Sequence, residues 1–436
     1  MMKSLLRGAG LFLLLVAFLV AWIVLPWQAL LGLALAFALW MALTRSGRQA
    51  ASVTRVGVST LTQRLGASSV VVIGIAGVVG VLVALLAMAE GYRHTVNSSG
   101  SDDTAIVLRG GSSAELMSVL AREQINAIER APEIARDAAG KPLASAELVV
   151  SANVPRLDGE EGSVTLRGVD AMAWTVRPNV KLAEGRRFEP GRRELVVGKG
   201  ARRQFAGLDP GKEVRLGNQV WTVVGVFESG DSMESEMWAD GEIVAGAYRR
   251  GSSRASVFAK LADPKSFNAF KATLAADPRL QVEADTTRGY FGKQSEAITK
   301  VLRIIGIVVG SIMAIGAVFG ALNTMFATVA SRAREIATLR AIGFRGVPVV
   351  VAVMLETMLL AAIGGLLGGL LAWLIFNGYT ASTVAGGVAS LSFEFNVSPG
   401  LLWQGLKWAL AIGFIGGLFP ALRAATLPVT DALRAA

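Results

Sequence analysis

Cysteine is absent from this chain and histidine occurs only once, at position 94. Disulfides, thiol chemistry and lipid attachment through cysteine are therefore excluded. The lone His94 has no evident partners for a triad or a zinc site, so it reads as an ordinary residue at a membrane boundary. A phosphate-gripping G-x-x-x-x-G-K-[ST] loop is missing too. The Gly-Lys pairs at Gly140, Gly198, Gly211 and Gly292 lack both the earlier glycine and the following Ser or Thr. Charge is scarce as well, 17% of residues against roughly 25% in an average soluble domain. What is plentiful is apolar surface: 53% of the 436 residues are hydrophobic, which places the chain among membrane proteins, and the missing phosphate loop leaves any ATP hydrolysis to another chain, so this chain is not expected to be an enzyme.

Six apolar runs are candidate spans: 11 to 25, 27 to 44, 68 to 89, 301 to 330, 347 to 377 and 401 to 420. About 20 apolar residues suffice to cross a bilayer. Pro26 divides the first two runs, so residues 1–44 are expected to form a transmembrane hairpin. A secretory signal is the competing reading, with Lys3 and Arg7 before an apolar core. The apolar run continuing to Leu43 and the Arg45, Arg48, Arg55 and Arg64 cluster after it resemble a second span more than a mature start.

Basic residues in short loops mark the cytoplasmic side. By that rule both termini, the amphipathic segment 45–67 and the segment 331–346 lie inside, while the loop 378–400 lies outside. The net charge of +10 invites a nucleic-acid reading, but residues 91 to 300 hold 29 basic and 28 acidic residues, leaving 14 basic and 5 acidic in the membrane part. The basicity is thus topological, suited to anionic lipid and not to DNA or RNA.

Between the third span (68–90) and the fourth lies an expected extracytoplasmic domain, 91–292. Strands at Thr104–Arg109 and Glu147–Asn153, with a helix opened by a Ser112/Glu115 capping box, give one β-α-β unit. Strands Ala255–Lys260 and Gln281–Ala284, around a helix with Asp263 as N-cap and Pro264 after it, give a second. Together, 102–155 and 251–290 suggest a ferredoxin-like subdomain interrupted by a β-rich insertion, 156–250. An acidic run, Glu228, Asp231, Glu234, Glu236, Asp240 and Glu242, lacks calcium-loop spacing and reads as a solvated loop. Beyond the domain, helical character from 293 to 330 predicts a rod of ~57 Å where a bilayer core needs only ~30 Å, so part of it should serve as a stalk.

The segment 331–346 is the most informative. Arg332, Arg334, Arg340 and Arg345 stand against the single acid Glu335, and Ile336, Leu339 and Ile342 recur at helical spacing, a stripe suited to docking on another protein. In the next span (347–377), Glu356 is an intramembrane carboxylate, costly by default. No basic partner at matching depth stands out, and packing by hydrogen bonding is the favoured reading. Gly364, Gly365, Gly368 and Gly369 are expected to let helices approach closely. Lys407, in the last span (401–421, before a tail 422–436), is expected to snorkel.

Three stretches carry a family likeness: Glu335-Ile-Ala-Thr-Leu-Arg-Ala-Ile-Gly343 after a span ending Asn323-Thr-Met-Phe326; Glu356-Thr-Met-Leu-Leu-Ala-Ala-Ile-Gly-Gly-Leu-Leu-Gly-Gly369; and the terminal Pro420-Ala-Leu-Arg-Ala-Ala-Thr-Leu-Pro428-Val-Thr-Asp-Ala-Leu-Arg434. In these the chain resembles the permease subunits of FtsX-like and MacB-like ABC transporters, over about residues 55 to 436. The resemblance implies an α-helical integral membrane protein with a four-span core, here preceded by the two-span hairpin, and an α+β extracytoplasmic domain. It also implies location in the bacterial inner membrane, a dimer with a second copy or paralogue, and a cytoplasmic ATPase on another chain that holds ATP and Mg. The ATPase would grip Arg332, Arg334, Glu335, Ile336, Leu339, Arg340, Ile342, Gly343 and Arg345. The expected activity is mechanical export or extraction of a lipid, lipoprotein, peptide or drug, with a periplasmic adaptor as a further partner. The alternative is a signalling subunit acting on a cell-wall partner without transport.

Overall fold

A computed structural model describes residues 21–22, 24–59, 61–385 and 389–426. Most of the expected first span, and the tail from 427 with Arg434, therefore lie outside the described residues. The chain divides into two units: a helical unit of residues 1–88, 301–377 and 396–436, and a sheet unit of residues 89–300 and 378–395.

In the helical unit, α1 (Trp27–Leu43) is followed by α2 (Arg45–Ser59). At Thr44 the direction changes by 98°. The Thr44 side chain accepts from the Gly47 amide at 2.9 Å and so secures the start of α2. Helix α3 (Leu65–Ser98) then begins. Its Val71, Ile75, Val78, Val79, Leu82 and Val83 are buried while Val70, Ile73 and Val81 are exposed, the three-and-four spacing of a helix that turns one face inward. Among the described residues four helices are long and apolar enough to cross a membrane, Ser68–Ser98, Thr287–Ser331, Gly346–Phe376 and Pro399–Thr426, or five if the bent α1–α2 pair forms one span. By length alone α1, with 17 residues, falls just short.

Among the described residues, ten strands of the sheet unit form one sheet. Strand β1 (Thr104–Arg109) leads through a 3-10 turn at Glu115–Met117 into α4 (Arg122–Glu129) and then to β2 (Ala144–Pro155) and β3 (Glu161–Val169). Strands β4 (Lys181–Gly185), β5 (Glu194–Gly198), β6 (Glu213–Leu216), β7 (Gln219–Glu228) and β8 (Glu236–Asp240) make up the inserted part. After α5 (Gly241–Ala247) come β9 (Ser256–Lys260), α6 (Phe267–Ala276) and β10 (Val282–Thr286). The order across the sheet is β10-β1-β9-β2-β3-β8-β5-β7-β4, with β6 beside β7. Only β3–β8 and β5–β7 are parallel, so the sheet is mixed. Two cores lie on it. One joins Val107, Leu120, Ile128, Val257 and Phe270; the other joins Val164, Val197, Phe205, Trp221 and Met237.

The capping box at Ser112 does not form. The helix starts ten residues later, with Gln124 accepting from the Ala121 amide at 3.0 Å. Glu115 is unavailable to a cap because its carboxylate is buried against Arg167, at 2.8 Å. Asp263 does cap, accepting from the Lys265 amide at 2.9 Å with Pro264 at the first helical position.

Helix α7 (Thr287–Ser331) follows β10 directly and runs unbroken for 45 residues. At ~1.5 Å per residue that is about 67 Å, more than twice the ~30 Å hydrocarbon core. Then follow α8 (Ala333–Ala341), α9 (Gly346–Phe376), the hairpin β11 (Thr380–Ala385) and β12 (Ala389–Glu394), and α10 (Pro399–Thr426). The expected outer loop is thus partly a β-hairpin, paired antiparallel from Thr380↔Glu394 inward.

Candidate functional site

Helix α8 is a two-and-a-half-turn piece of about 13 Å set between two helices of membrane-spanning length. Arg332 breaks the chain between α7 and α8, and a glycine ends α8. Gly343 has φ +102°. Its amide donates to the Arg340 carbonyl at 3.1 Å and the Phe344 amide to that of Leu339 at 3.1 Å, which is the Schellman pattern. Gly343 is thus the cap that turns the chain back into α9. Its importance is conformational, since a side chain there meets open space but an unfavourable backbone.

The predicted stripe is split by the fold. Ile336 is buried with Met325, Val329, Val349, Val353, Ala421 and Ala424, so it holds α8 to its neighbouring helices. Ile342 is 69% exposed, and Arg334, Glu335 and Arg345 are exposed with it, while Leu339 and Arg340 are half-buried. Arg332 also turns inward. It is 7% exposed and donates from Nη1 to Glu356 Oε2 at 2.8 Å and from Nε to Glu335 Oε2 at 3.2 Å. Arg332 and Ile336 therefore belong to the underside of α8 and the exposed Gly343 caps its end, leaving Arg334, Glu335, Leu339, Ile342 and Arg345 along the exposed or half-buried edge.

Glu356 has the basic partner that the sequence did not reveal. The pair lies 24 residues apart in the chain, and only the turn-back through α8 makes the two meet. Gly57 of α2 closes over them, so that a Cβ there would lie 3.0 Å from Glu356 Oε2. A cavity of about 340 Å³ remains between Val53 and Val56 of α2, Leu339 of α8 and Val349 of α9.

The four glycines of α9 divide between two neighbours. A Cβ on Gly364 would meet the Val72 carbonyl oxygen at 2.8 Å, and one on Gly368 that of Ala76 at 2.4 Å, both on α3. A Cβ on Gly365 would meet Ala409 Cβ at 2.6 Å on α10, where Gly369 has only Leu402 at 3.3 Å. Bare backbone thus lets α9 touch two helices at once.

Two family models match in the order of these parts. Residues 68–277 match the MacB-like periplasmic core domain, and residues 307–429 match the FtsX-like permease C-terminal domain. The chain belongs to the FtsX-like and MacB-like ABC permeases. Among its relatives, the pyoverdine export ATP-binding/permease protein PvdT of Pseudomonas aeruginosa is 25% identical over 382 residues, covering 83% of this chain and 55% of that protein. The macrolide export ATP-binding/permease protein MacB 1/2 of Paracoccus denitrificans is 26% identical over 390 residues, covering 84% and 55%. The chain thus spans about half the length of the curated relatives it matches. A crystal structure of the periplasmic region of MacB from Actinobacillus actinomycetemcomitans aligns with a TM-score of 0.35 at 17% identity, covering 48% of this chain and 95% of that one.

The sheet unit holds a second charged centre with no signature in the sequence. Arg167 is 2% exposed and binds Glu115 at 2.8 Å, Glu147 at 2.9 Å and Glu236 at 2.6 Å, and Arg177 shares Glu147 at 2.5 Å. Arg177 also lies 3.9 Å from the centre of the Phe258 ring. Burial by itself raises the pKa of Glu115, but the Arg167 guanidinium outweighs it and the carboxyl sits below its usual range. The centre fastens the inserted strands, through Arg167 and Glu236, to the flanking part, through Glu115 and Glu147. No local pattern announces it, because the partners come from four separate segments.

The acidic run is not a solvated loop. Glu236 belongs to this centre, Asp231 and Asp240 cap the short helices after them, and Glu242 pairs with Arg254. Among the described residues no group of three or more His, Cys, Asp or Glu is placed to hold a metal ion. His94 is exposed. Lys407 does not reach a surface: it is 7% exposed, behind α1.

Proposed function

We propose that this chain is the permease subunit of an ABC exporter that works by mechanical transmission. A cytoplasmic ATPase, with ATP and Mg bound to it, grips the outer edge of α8. Closure of the ATPase displaces α8, and α7 and α9 carry the displacement to an extracytoplasmic sheet unit that pushes or hands over a lipid, lipoprotein, peptide or drug. Both termini are cytoplasmic, and a second copy or paralogue completes the dimer, with an adaptor beyond it.

The observation that carries this reading is the buried Arg332–Glu356 pair at 2.8 Å. A basic loop helix resting on lipid headgroups has no need of a charge pair fastening its underside to the next span. A helix that must pass on force does, because a load on its outer edge is otherwise absorbed by rocking. The strand order β10-β1-β9-β2, with helices after the first and third strands in sequence, supports the ferredoxin-like reading of the flanking part.

The test is ATPase activity of the permease with its cognate ATPase in proteoliposomes. Glu335→Lys, Leu339→Asp and Ile342→Asp are expected to abolish stimulation while insertion and folding persist. Normal stimulation by all three variants rejects docking on α8.

A further inference from the structure

The sheet unit contains a cavity of about 290 Å³ walled by one face of α4, the end of β3, the start of α5 and the loop after β4. That is the small end of the ~300–1,000 Å³ of ligand pockets. Of the charges on its lining, three are already matched. Asp240 accepts from the Glu242 and Ile243 amides at 2.8 and 3.2 Å and from the Gly191 amide at 3.0 Å, while Glu242 pairs with the buried Arg254. The other three, Arg122, Glu129 and Asp170, form no ion pair among the described residues. Asp170 uses only Oδ1, which accepts from the Met172 amide at 2.8 Å, and its Oδ2 has no donor there.

Arg122 and Glu129 are the first and last residues of α4. Their spacing puts them within ~20° of one another around the helix and ~10 Å apart along it. Glu129 therefore stands at the helix C-terminus, where the dipole disfavours a carboxylate. Burial raises its pKa, and Asp170 close by raises it further. Asp170 is accessible to solvent, yet the protein atoms around it raise its pKa first and, against the opposing pull of the Met172 amide, Glu147 adds to the rise. The cavity is thus bipolar, with a cation at one end of α4 and two uncompensated carboxylates at the other.

We propose that this cavity binds a short zwitterionic peptide, its terminal ammonium held by Glu129 and Asp170 and its terminal carboxylate by Arg122. An ammonium carries three donors and can meet both carboxylates at once. A metal ion fits less well, because no group of three or more acidic or His ligands gathers among the described residues. Length selects the rest of the ligand: an extended chain spans ~3.3–3.6 Å per residue, so about two or three residues bridge the two ends of α4. A free amino acid is too short to touch both ends, and the basic side chain of a protein partner would leave Arg122 unmatched. Ile125 and Phe188 supply apolar wall for small side chains. Binding here is independent of the coupling at α8, since it needs neither an ATPase nor transport.

Isothermal titration calorimetry of the full chain in mild detergent, with trialanine as the probe, tests this. The native chain is expected to bind it saturably with a Kd of about 1 mM or tighter. N-acetyl-trialanine and trialanine amide, each lacking one terminal charge, are expected to bind at least about tenfold more weakly. The double variant Glu129→Gln/Asp170→Asn should no longer distinguish the acetylated peptide, and Arg122→Met should no longer distinguish the amide, while each keeps the other preference. A retained preference shows that the variant is folded at the cavity, and thermal melting checks the whole. Absence of saturable binding to the native chain overturns the proposal, as do equal binding of the blocked peptides or preferences that survive both sets of substitutions. Alanine or putrescine binding as tightly as trialanine overturns the assignment to a peptide.

Discussion

Glu356→Gln is the substitution that probes the fastening of α8 most directly. It keeps the shape of the side chain but leaves Arg332, 7% exposed, without the carboxylate 2.8 Å away. At an effective dielectric constant of ~20, two charges ~4 Å apart interact by about 4 kcal/mol. That agrees with the ~3–5 kcal/mol lost when one member of a buried pair is removed. Glu335, at 3.2 Å from the Arg332 Nε, retains some of the attraction, so the lower end, about 3 kcal/mol, is expected. For a unit of this size that corresponds to a melting shift on the order of 10 °C, read by a thermal melt in detergent. The double variant Arg332→Met/Glu356→Leu removes both charges and is expected to recover most of the loss. Its stimulated ATPase activity should nevertheless stay uncoupled from transport. A single Glu356→Gln variant that melts within 2 °C of the native chain refutes the idea that this pair holds α8 down.

Four further outcomes are expected. Gly368→Ala, aimed at the Ala76 carbonyl at 2.4 Å, should cost ~1–3 kcal/mol, whereas Gly320→Ala, with nothing within 4 Å, should be neutral or slightly stabilising in the same melt. Gly343→Ala should cost about 1 kcal/mol through its positive φ alone, with Gly343→Asn costing less. In the sheet unit the folded-state pKa of Glu115 is lowered, so its contribution is complete above its unfolded value of ~4.5 and is lost as pH falls through the folded one. Glu115→Gln should therefore lower stability at pH 7 by about 3 kcal/mol, and tryptophan fluorescence melts should show the gap closing at lower pH. Because the chain has no cysteine, single cysteines at Thr338 and Ser113 can be labelled cleanly. They should react from opposite sides of the membrane, and labelling from one side removes the basis for transmission.

What the sequence makes legible follows from what is local. Apolar runs mark the long helices because hydropathy sums over neighbours, and the strands at 104–109 and 194–198 show in their β-branched and apolar composition. The excess length of α7 is visible in the same way. What stays hidden depends on residues far apart in the chain. Ser112 and Glu115 have capping-box spacing, yet Arg167, 52 residues on, offers the carboxylate a stronger, buried partner. Glu356 has no cation near it in the sequence because its partner, Arg332, belongs to the preceding helix connection. The apolar stripe of α8 is genuine as a pattern, but periodicity cannot say whether a face meets a partner or the chain's own helices. Ile336 and Ile342 take different answers. Lys407 reads as a snorkelling residue only while α1 is left out of its surroundings.

The hairpin between α9 and α10 belongs to the sheet unit although it lies far from it in sequence. The Ser392 amide donates to Ser235 Oγ at 2.8 Å, the Gln204 amide group donates to Ser392 Oγ at 2.5 Å, and Phe393 stands edge-on to Tyr92 with ring centres 5.7 Å apart. A chimera that transplants only residues 89–300 onto another family member would arrive without its own clasp and meet a foreign one. Grafts intended to reassign specificity among these permeases should carry 378–395 as a second, obligatory fragment.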